Sequence, residues 1–489
     1  MGLFLVAAVG LLVAGPRAAR VRPGGVVTVR YWEKWSGVEE AQMKEIVDDF
    51  NATVGKDKGI YVEYLSMTNV DRKTLTATAA GVPPEVAGLW QGQMAQWAGL
   101  GALEPLDEMA REHGIGPAYY KKVYWDGCMY EGKLYGLIST PSAVLLHYNK
   151  DIFRAKAEQL KAAGCDPERA PRTLEELDRY AVALTERDGR GRLVSAGYIP
   201  SEPGWFRLAT PLWFGGNLYD EATAKFTFTS PECVRAYEWW QGYSKRLGKD
   251  ALSDFAAGFG NFSSAQNPFL AGKVAMCQQG PWMANYIQMN KPEWNNPAVK
   301  GLDPKSAEFA AKMAAYFALP VEQRREVAGW GVAPFPSVYS EKLAGEDLID
   351  KGVAFCDFDV LAIPRGAAHK REAFEFIAYV QRPEVMQKIC SLHGKNTPLA
   401  AGPPAEWYAR HPNPYIEYFE RMAASPRARG TPRVAVWPEA DEAMGPAIER
   451  ITRMSQSPAE AMVEAQERVE PKLERFRGVE KLRREAEGR

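Results

Sequence analysis

Three short apolar runs near the amino terminus alternate with two helical patterns, and this constrains the fold more than any other feature of the chain. Val26 to Trp32 (VVTVRYW) reads as a strand, and Ser36-Gly37-Val38-Glu39 has the form of a capping box. The helix it opens would carry Met43, Ile46, Val47 and Phe50 on one face. Ile60 to Leu65 is a second strand, Asp71 to Ala80 a polar helix, and Val86 to Trp90 a third strand. A β-α-β-α-β order predicts a mainly parallel sheet flanked by helices, with a ligand crevice beyond the carboxyl ends of the strands. Those ends carry Glu33, Lys34 and Trp35 after the first strand, and Trp90, Gln91 and Gln93 after the third. Indoles and amides on two neighbouring strand-end loops are placed to line a cleft, whereas tryptophans inside strands default to core.

The rest of the chain continues the α/β pattern. Val144 to Leu146 is a strand bounded by turn signals, with Asn149 or Asp151 able to cap the helix that follows. Pro171 to Glu176 is a further capping box, Val194 to Ile199 a strand, and Ser230-Pro231 the start of a helix reaching Arg246. Val274 to Cys277 is a strand that enters a Gly-Pro turn delivering Trp282. Residues 290–323 are polar and poorly periodic, as in an inserted surface excursion, and Trp330 to Pro336 reads as an extended crossing segment. Val360 to Ile363 is a late strand, and the charged helix from Ala459 carries Ala461, Met462 and Ala465 on one side, its highly charged end reading as a solvated face or frayed tail.

At 489 residues the chain exceeds what one core organises, so two lobes are expected. Sixty basic residues balance 61 acidic ones, which speaks against nucleic acid or an anionic membrane as the main partner. The 14 tryptophans are more flat apolar surface than such a core needs. Sugars, with apolar C–H faces beside hydroxyls, suit indoles combined with amides and carboxylates. Met1 to Val13 is an apolar run of signal-peptide length followed by small residues, so residues 1–20 are expected to be a signal peptide or an amino-terminal anchor. Cys128, Cys165, Cys233, Cys277, Cys356 and Cys390 show no metal-like spacing with the five histidines, so no metal site is expected, and disulfides are allowed without being specified.

A series of motifs in shared order over most of the chain resembles the extracellular solute-binding proteins of bacterial ABC sugar importers, the maltose-binding-like group. They are Ala98-Gly99-Leu100 to Leu106-Asp107, Tyr130-Glu131-Gly132-Lys133 with Tyr135-Gly136, Tyr148-Asn149-Lys150-Asp151, and Gly215-Gly216-Asn217. Gly272 to Met276, Gly280-Pro281-Trp282, Ala373 to Glu384 and Ser457 to Ala461 complete the set. The absent lipid-carrying cysteine, the insertion after Asn290 and the long tail depart from that pattern.

The resemblance implies a two-lobed periplasmic-binding-protein fold that closes on a mono- or oligosaccharide and delivers it to membrane permease subunits. It implies an amino-terminal lobe of 26–145 plus about 337–383 and a carboxy-terminal lobe of 146–330 plus about 384–489. Hinge crossings are expected near 144–150, which includes Tyr148 and Asn149, near 331–336 and near 381–392. Trp282 is the foremost stacking candidate, followed by Trp35, Trp90 and Trp213, with Gln91, Gln93, Glu33 and Asn217 as polar contacts. Asp357, Asn396 and Trp437 lie in late segments that relatives fold toward the ligand. A monomer on the outer face of the cytoplasmic membrane or in the periplasm is expected, with no cofactor and no catalytic residue. The rival class is a glycoside hydrolase, for which Glu33, Glu202, Asp254 and Asp357 are available carboxylates, none in a motif that marks an acid or nucleophile. The same binding fold could also hold a polyamine, an iron chelate or a phosphodiester.

Overall fold

The computed structural model describes residues 21–22 and 25–486, so the expected signal peptide or anchor at 1–20 lies outside the described residues. The chain divides into two compact units. The first comprises the residues up to Pro117, Cys128–Ser139 and Phe358–Ile389, and the second Ala118–Gly127, Thr140–Asp357 and the residues from Cys390 onward. The strands of the two main sheets, in chain order, are β1 (Val21–Arg22), β2 (Val26–Glu33), β3 (Ile60–Ser66), β4 (Val86–Trp90), β5 (Leu137–Pro141) and β6 (Leu145–Asn149). They continue with β7 (Glu186–Arg187), β8 (Leu193–Tyr198), β9 (Val274–Gln279), β10 (Trp330–Ala333) and β11 (Phe358–Ala362).

In the first unit the sheet order is β1-β2-β4-β11-β5, with β3 also paired to β2. β2 runs parallel to both β3 and β4, as the β-α-β-α-β order requires. β11 pairs antiparallel with β4, and β1 antiparallel with β2, so the sheet is mixed where a mainly parallel one was expected. The reason is connectivity: β11 reaches β4 from a distant part of the chain, so no crossover helix obliges it to run parallel. The helix Val38–Ala52 buries Met43, Ile46, Val47 and Phe50, and the helix Lys370–Val380 buries Phe374, Phe376 and Ile377. Phe50 and Tyr31 both meet Phe376, at 5.3 and 5.5 Å between ring centroids. The first of these helices starts at Gly37 without a side-chain cap, so Ser36 does not form the expected capping box.

The second unit's sheet has the order β10-β6-β9-β8-β7. β8 and β9 are parallel, while β6 is antiparallel to both β9 and β10. Tyr148 and Asn149 lie in a paired strand inside the second unit, and 331–336 begins in the strand beside it; the unit boundaries that flank these segments fall at Ser139/Thr140 and Asp357/Phe358. A further boundary falls at Ile389/Cys390. Asn149 caps the helix Lys150–Ala155 through its side chain, which accepts from the Ile152 amide at 2.9 Å. Thr173 and Ser230 cap their helices as their spacing implies.

A second apolar cluster joins the helices Pro231–Leu247, Trp437–Thr452 and Pro458–Ala486 through Tyr237, Trp240, Met444, Ile448, Met462 and Val469. The carboxyl-terminal helix packs along its first half, where the side carrying Ala461, Met462 and Ala465 continues with Val469 and Leu473 at helical spacing. Among the described residues no helix is long and apolar enough to cross a membrane.

Candidate functional site

In each unit, aromatic rings emerge where two adjacent parallel strands end. In the first, β2 and β4 lie side by side with Trp32 opposite Ala87, so their carboxyl ends share one edge of the sheet. Trp90 closes β4, is 44% exposed, and faces Asp359 of β11 in register. The Lys34 ammonium stands 5.2 Å from the Trp35 ring centroid and 5.1 Å from that of Trp90. Its nitrogen lies 3.2 Å from Glu33 Oε1 and 3.0 Å from Asp359 Oδ1. Burial alone would favour the neutral amine, but Asp359 and Glu33 outweigh it and hold the lysine pKa above its ordinary value. The result is a fixed cation bracketed by two partly open indoles.

Glu33 itself is fully buried. Its Oε2 accepts from the Tyr31 hydroxyl at 2.5 Å, and its Oε1 from the Lys34 amide at 2.7 Å. A Cβ on Gly88 would come within 2.0 Å of Glu33 Oε2, so the missing side chain at 88 is what makes room for the carboxylate. Glu33 is thereby a support for Lys34, and it has no surface left for a ligand. Gln91 is likewise buried, at the start of the helix Gln91–Gly99, and Gln93 donates to Asp71 Oδ2 at 3.2 Å.

In the second unit the parallel pair is β8 and β9, with Tyr198 opposite Met276. Trp282 follows β9 across the Gly280-Pro281 turn, and its Nε1 donates to Gln279 Oε1 at 3.1 Å. Its ring folds back over Gly280, where a Cβ would lie 2.3 Å from the six-membered ring. The Lys395 ammonium stands 5.5 Å from the ring centroid and donates to Thr140 Oγ1 at 2.8 Å. Beyond the end of β8 come Glu202 and Trp205, two residues additional to the binding candidates named from the sequence. Trp205 is 51% exposed and lies 4.3 Å from Phe262, which in turn meets Tyr286 edge-on at 4.7 Å. Tyr286 belongs to the helix Met283–Asn290 that Trp282 opens. Burial pushes the Glu202 carboxyl up to about 7, so it can act as a hydrogen-bond donor near neutral pH. The Glu-Pro-Gly-Trp turn immediately after a strand is the sequence signal that could have found this pair.

The remaining candidates are dispersed. Trp213 is 1% exposed and packs against Phe335 at 4.7 Å, inside the second unit's core. Asn396 is fully buried and donates to the Tyr124 hydroxyl at 2.9 Å. Trp437 opens its helix and packs half-buried on the three-helix cluster. Asp357 is half-buried, and its carbonyl accepts from Ser142 Oγ at 2.6 Å. Asn217 is exposed, and its Oδ1 accepts from the next amide at 2.9 Å. It borders a cavity of about 870 Å³ that also touches Asp126, Glu221, Glu232, Arg429 and Arg433 but no aromatic ring, so that cavity offers nothing for a sugar face to stack on. Tyr148 is buried against Gly331. All six cysteines are unpaired and buried, and no group of metal-binding side chains occurs among the described residues.

This arrangement, two mixed α/β sheets each presenting rings at the carboxyl ends of its parallel strands, is that of a ligand-binding protein. Residues 45–414 match the family described as bacterial extracellular solute-binding protein, and the chain belongs to that family. The sn-glycerol-3-phosphate-binding periplasmic protein UgpB of Escherichia coli (strain K12) is 27% identical over 247 residues, which is 47% of this chain and 50% of that protein. The chain thus spans about half the length of the curated relatives it matches. Solved structures with the same fold include CpMnBP1 with mannobiose bound, with a TM-score of 0.69 at 22% identity, covering 91% of this chain and 99% of that one. The sugar-binding protein MalE from Xanthomonas citri has a TM-score of 0.68 at 22% identity, covering 93% and 99%. The GacH receptor of Streptomyces glaucescens GLA.O has a TM-score of 0.64 at 20% identity, covering 91% and 98%.

Proposed function

We propose that this chain is the extracytoplasmic binding component of an ABC importer, and that it captures a mono- or oligosaccharide and presents it to a membrane permease without altering it. The observation that carries the reading is the pair of ring sets: Trp35 and Trp90 around Lys34 in the first unit, Trp282 and Trp205 in the second. Indoles at such strand ends suit the C–H faces of a pyranose, and Lys34, Lys395 and Glu202 suit its hydroxyls. Charge favours a neutral ligand over a phosphodiester or phosphomonoester at the first set, because two carboxylates accompany one ammonium there. The names of relatives point both ways, to sn-glycerol-3-phosphate for UgpB and to mannobiose for CpMnBP1.

The test is a thermal-shift screen of the folded chain against mono- and oligosaccharides, with sn-glycerol 3-phosphate and spermidine alongside. A ligand that binds only the folded state raises the transition by mass action, by about 2.7 kcal/mol at one hundred times its Kd. A saccharide should give the largest shift. A larger shift from the phosphate ester, with none from any sugar, would overturn the reading.

A further inference from the structure

The segment after Asn290 is tied by buried bonds to the turn that carries Trp282. It forms the helices Pro292–Asn295, Ala307–Phe317 and Val321–Val327 around a small cluster of Val299, Met313 and Tyr316. Its inner edge is anchored at several points, among them Arg325, whose Nε donates to the Pro414 carbonyl at 2.7 Å. The Trp330 indole donates to Asn295 Oδ1 at 2.9 Å, and the fully buried Arg324 donates through Nη1 to the His411 carbonyl at 2.9 Å and through Nη2 to the Ala409 carbonyl at 2.7 Å. Those carbonyls lie at the end of the helix Ala405–Arg410, where backbone acceptors have no partner within the helix. From His411 the connection continues inward. Its Nδ1 accepts from the Asn413 amide at 3.1 Å, Asn413 Oδ1 accepts from the Tyr415 amide at 2.9 Å, and Asn413 Nδ2 donates to the Pro281 carbonyl at 3.1 Å.

Pro281 is the residue before Trp282. His411 and Asn413 are as buried as Arg324, so no water stands ready to replace a lost bond. The ring itself is held from below by Gly280 and at its nitrogen by Gln279. What remains to be set is the path of the 280–282 backbone, and Asn413 is the side chain that reaches it.

We propose that Arg324 and Asn413 are positioning residues for Trp282, so that the inserted segment sets the pose of the second unit's stacking ring. The consequence for ligand affinity rests on the reading of Trp282 as a sugar-stacking residue; the positioning itself does not.

The experiment uses the full chain labelled with 5-fluorotryptophan, with the Trp282 fluorine resonance assigned by its loss in Trp282→Phe. Asn413→Ser removes the donor to Pro281 with a small change of volume, and Arg324→Gln removes the two-carbonyl clamp. In both, the Trp282 resonance should shift or broaden, while those of Trp90 and Trp213 stay in place. Arg324→Lys, which keeps a donor at the clamp, should return it toward the parent position. Affinity for the best saccharide of the screen should fall about three- to tenfold in Asn413→Ser, the range for one altered buried hydrogen bond. That loss should vanish in a Trp282→Phe background. If Arg324→Gln does not fold, Asn413→Ser decides. A lowered melting temperature with an unmoved Trp282 resonance would overturn the proposal and leave both residues a purely structural role. A moved resonance with unchanged sugar affinity would support the positioning and refute stacking by Trp282.

Discussion

Replacing Trp90 by alanine separates ligand contact from packing. The side chain leaves 44% of its surface open, and a tryptophan has about 250 Å² to bury, so about 110 Å² is available to a ligand. A pyranose lying on one face covers about half of this, and at about 25 cal/mol per Å² the contact contributes about 1.4 kcal/mol, a tenfold change in Kd. The half of the ring that is packed beside Lys34 limits the cost to folding to about 1–2 kcal/mol. Trp213→Ala is the natural contrast: its ring is 1% exposed against Phe335, and its removal leaves a large cavity costing about 3–5 kcal/mol of stability. Titration calorimetry well below both melting transitions gives the affinities, and urea unfolding gives the stabilities. Trp90→Ala should bind about tenfold more weakly with a modest loss of stability, and Trp213→Ala should unfold far more easily while each folded molecule binds as the parent does. Equal affinity of Trp90→Ala and the parent would refute the reasoning, as would an affinity loss in Trp213→Ala matching that in Trp90→Ala.

Two further changes probe what holds the second unit together. Burial pushes His147 and His411 down to about 3, so both are neutral in the folded chain at any ordinary pH. Their contribution is fully present above the unfolded value near 6.5 and is lost as pH falls from there toward 3; at pH 4.5 each should remove about 2.7 kcal/mol. Urea midpoints measured from pH 8 to 4.5 should fall below pH 6, less steeply in His147→Phe, and an identical slope in the variant would count against the assignment. Lys121 and Glu420 form a buried pair at 2.7 Å, with the lysine also donating to the Thr397 and Leu399 carbonyls. Glu420→Ala should cost about 3–5 kcal/mol by stranding the ammonium, and Lys121→Met on that background should recover part of it; no recovery would show that the pair's charges are not what matters.

The opening half of the first sheet was legible because its information is local. The runs at Val26, Ile60 and Val86 alternate with helical spacing, and the strands end within a residue of where those runs stop. The antiparallel insertion of β11 beside β4 was not, because nothing in either run records a partner so far along the chain. The same limit governs the site. Trp213 and Trp282 look alike as tryptophans beside Gly- or Pro-containing turns, yet Phe335 covers the first and the fold-back over Gly280 leaves the second half-open. Glu33 looked like a contact residue by its place at a strand end, and only Gly88 and Tyr31, brought beside it by folding, turn it into a support. Trp205 follows a strand and a Glu-Pro-Gly turn in the sequence, but only folding brings Phe262 beside it and leaves its ring half open. The helices after Asn290 were not legible because two of them are only four and seven residues long and the third, Ala307–Phe317, is apolar on nearly every side, so no single face stands out around Met313 and Tyr316.

Isothermal titration of the folded chain with the best saccharide of the screen, followed by recovery and mass analysis of that saccharide, tests the central claim most directly. Binding should saturate at one molecule per chain with a change in tryptophan fluorescence, and the sugar should be recovered with its mass and linkage unchanged. Hydrolysed sugar, or heat only with sn-glycerol 3-phosphate and with no saccharide, would contradict that claim.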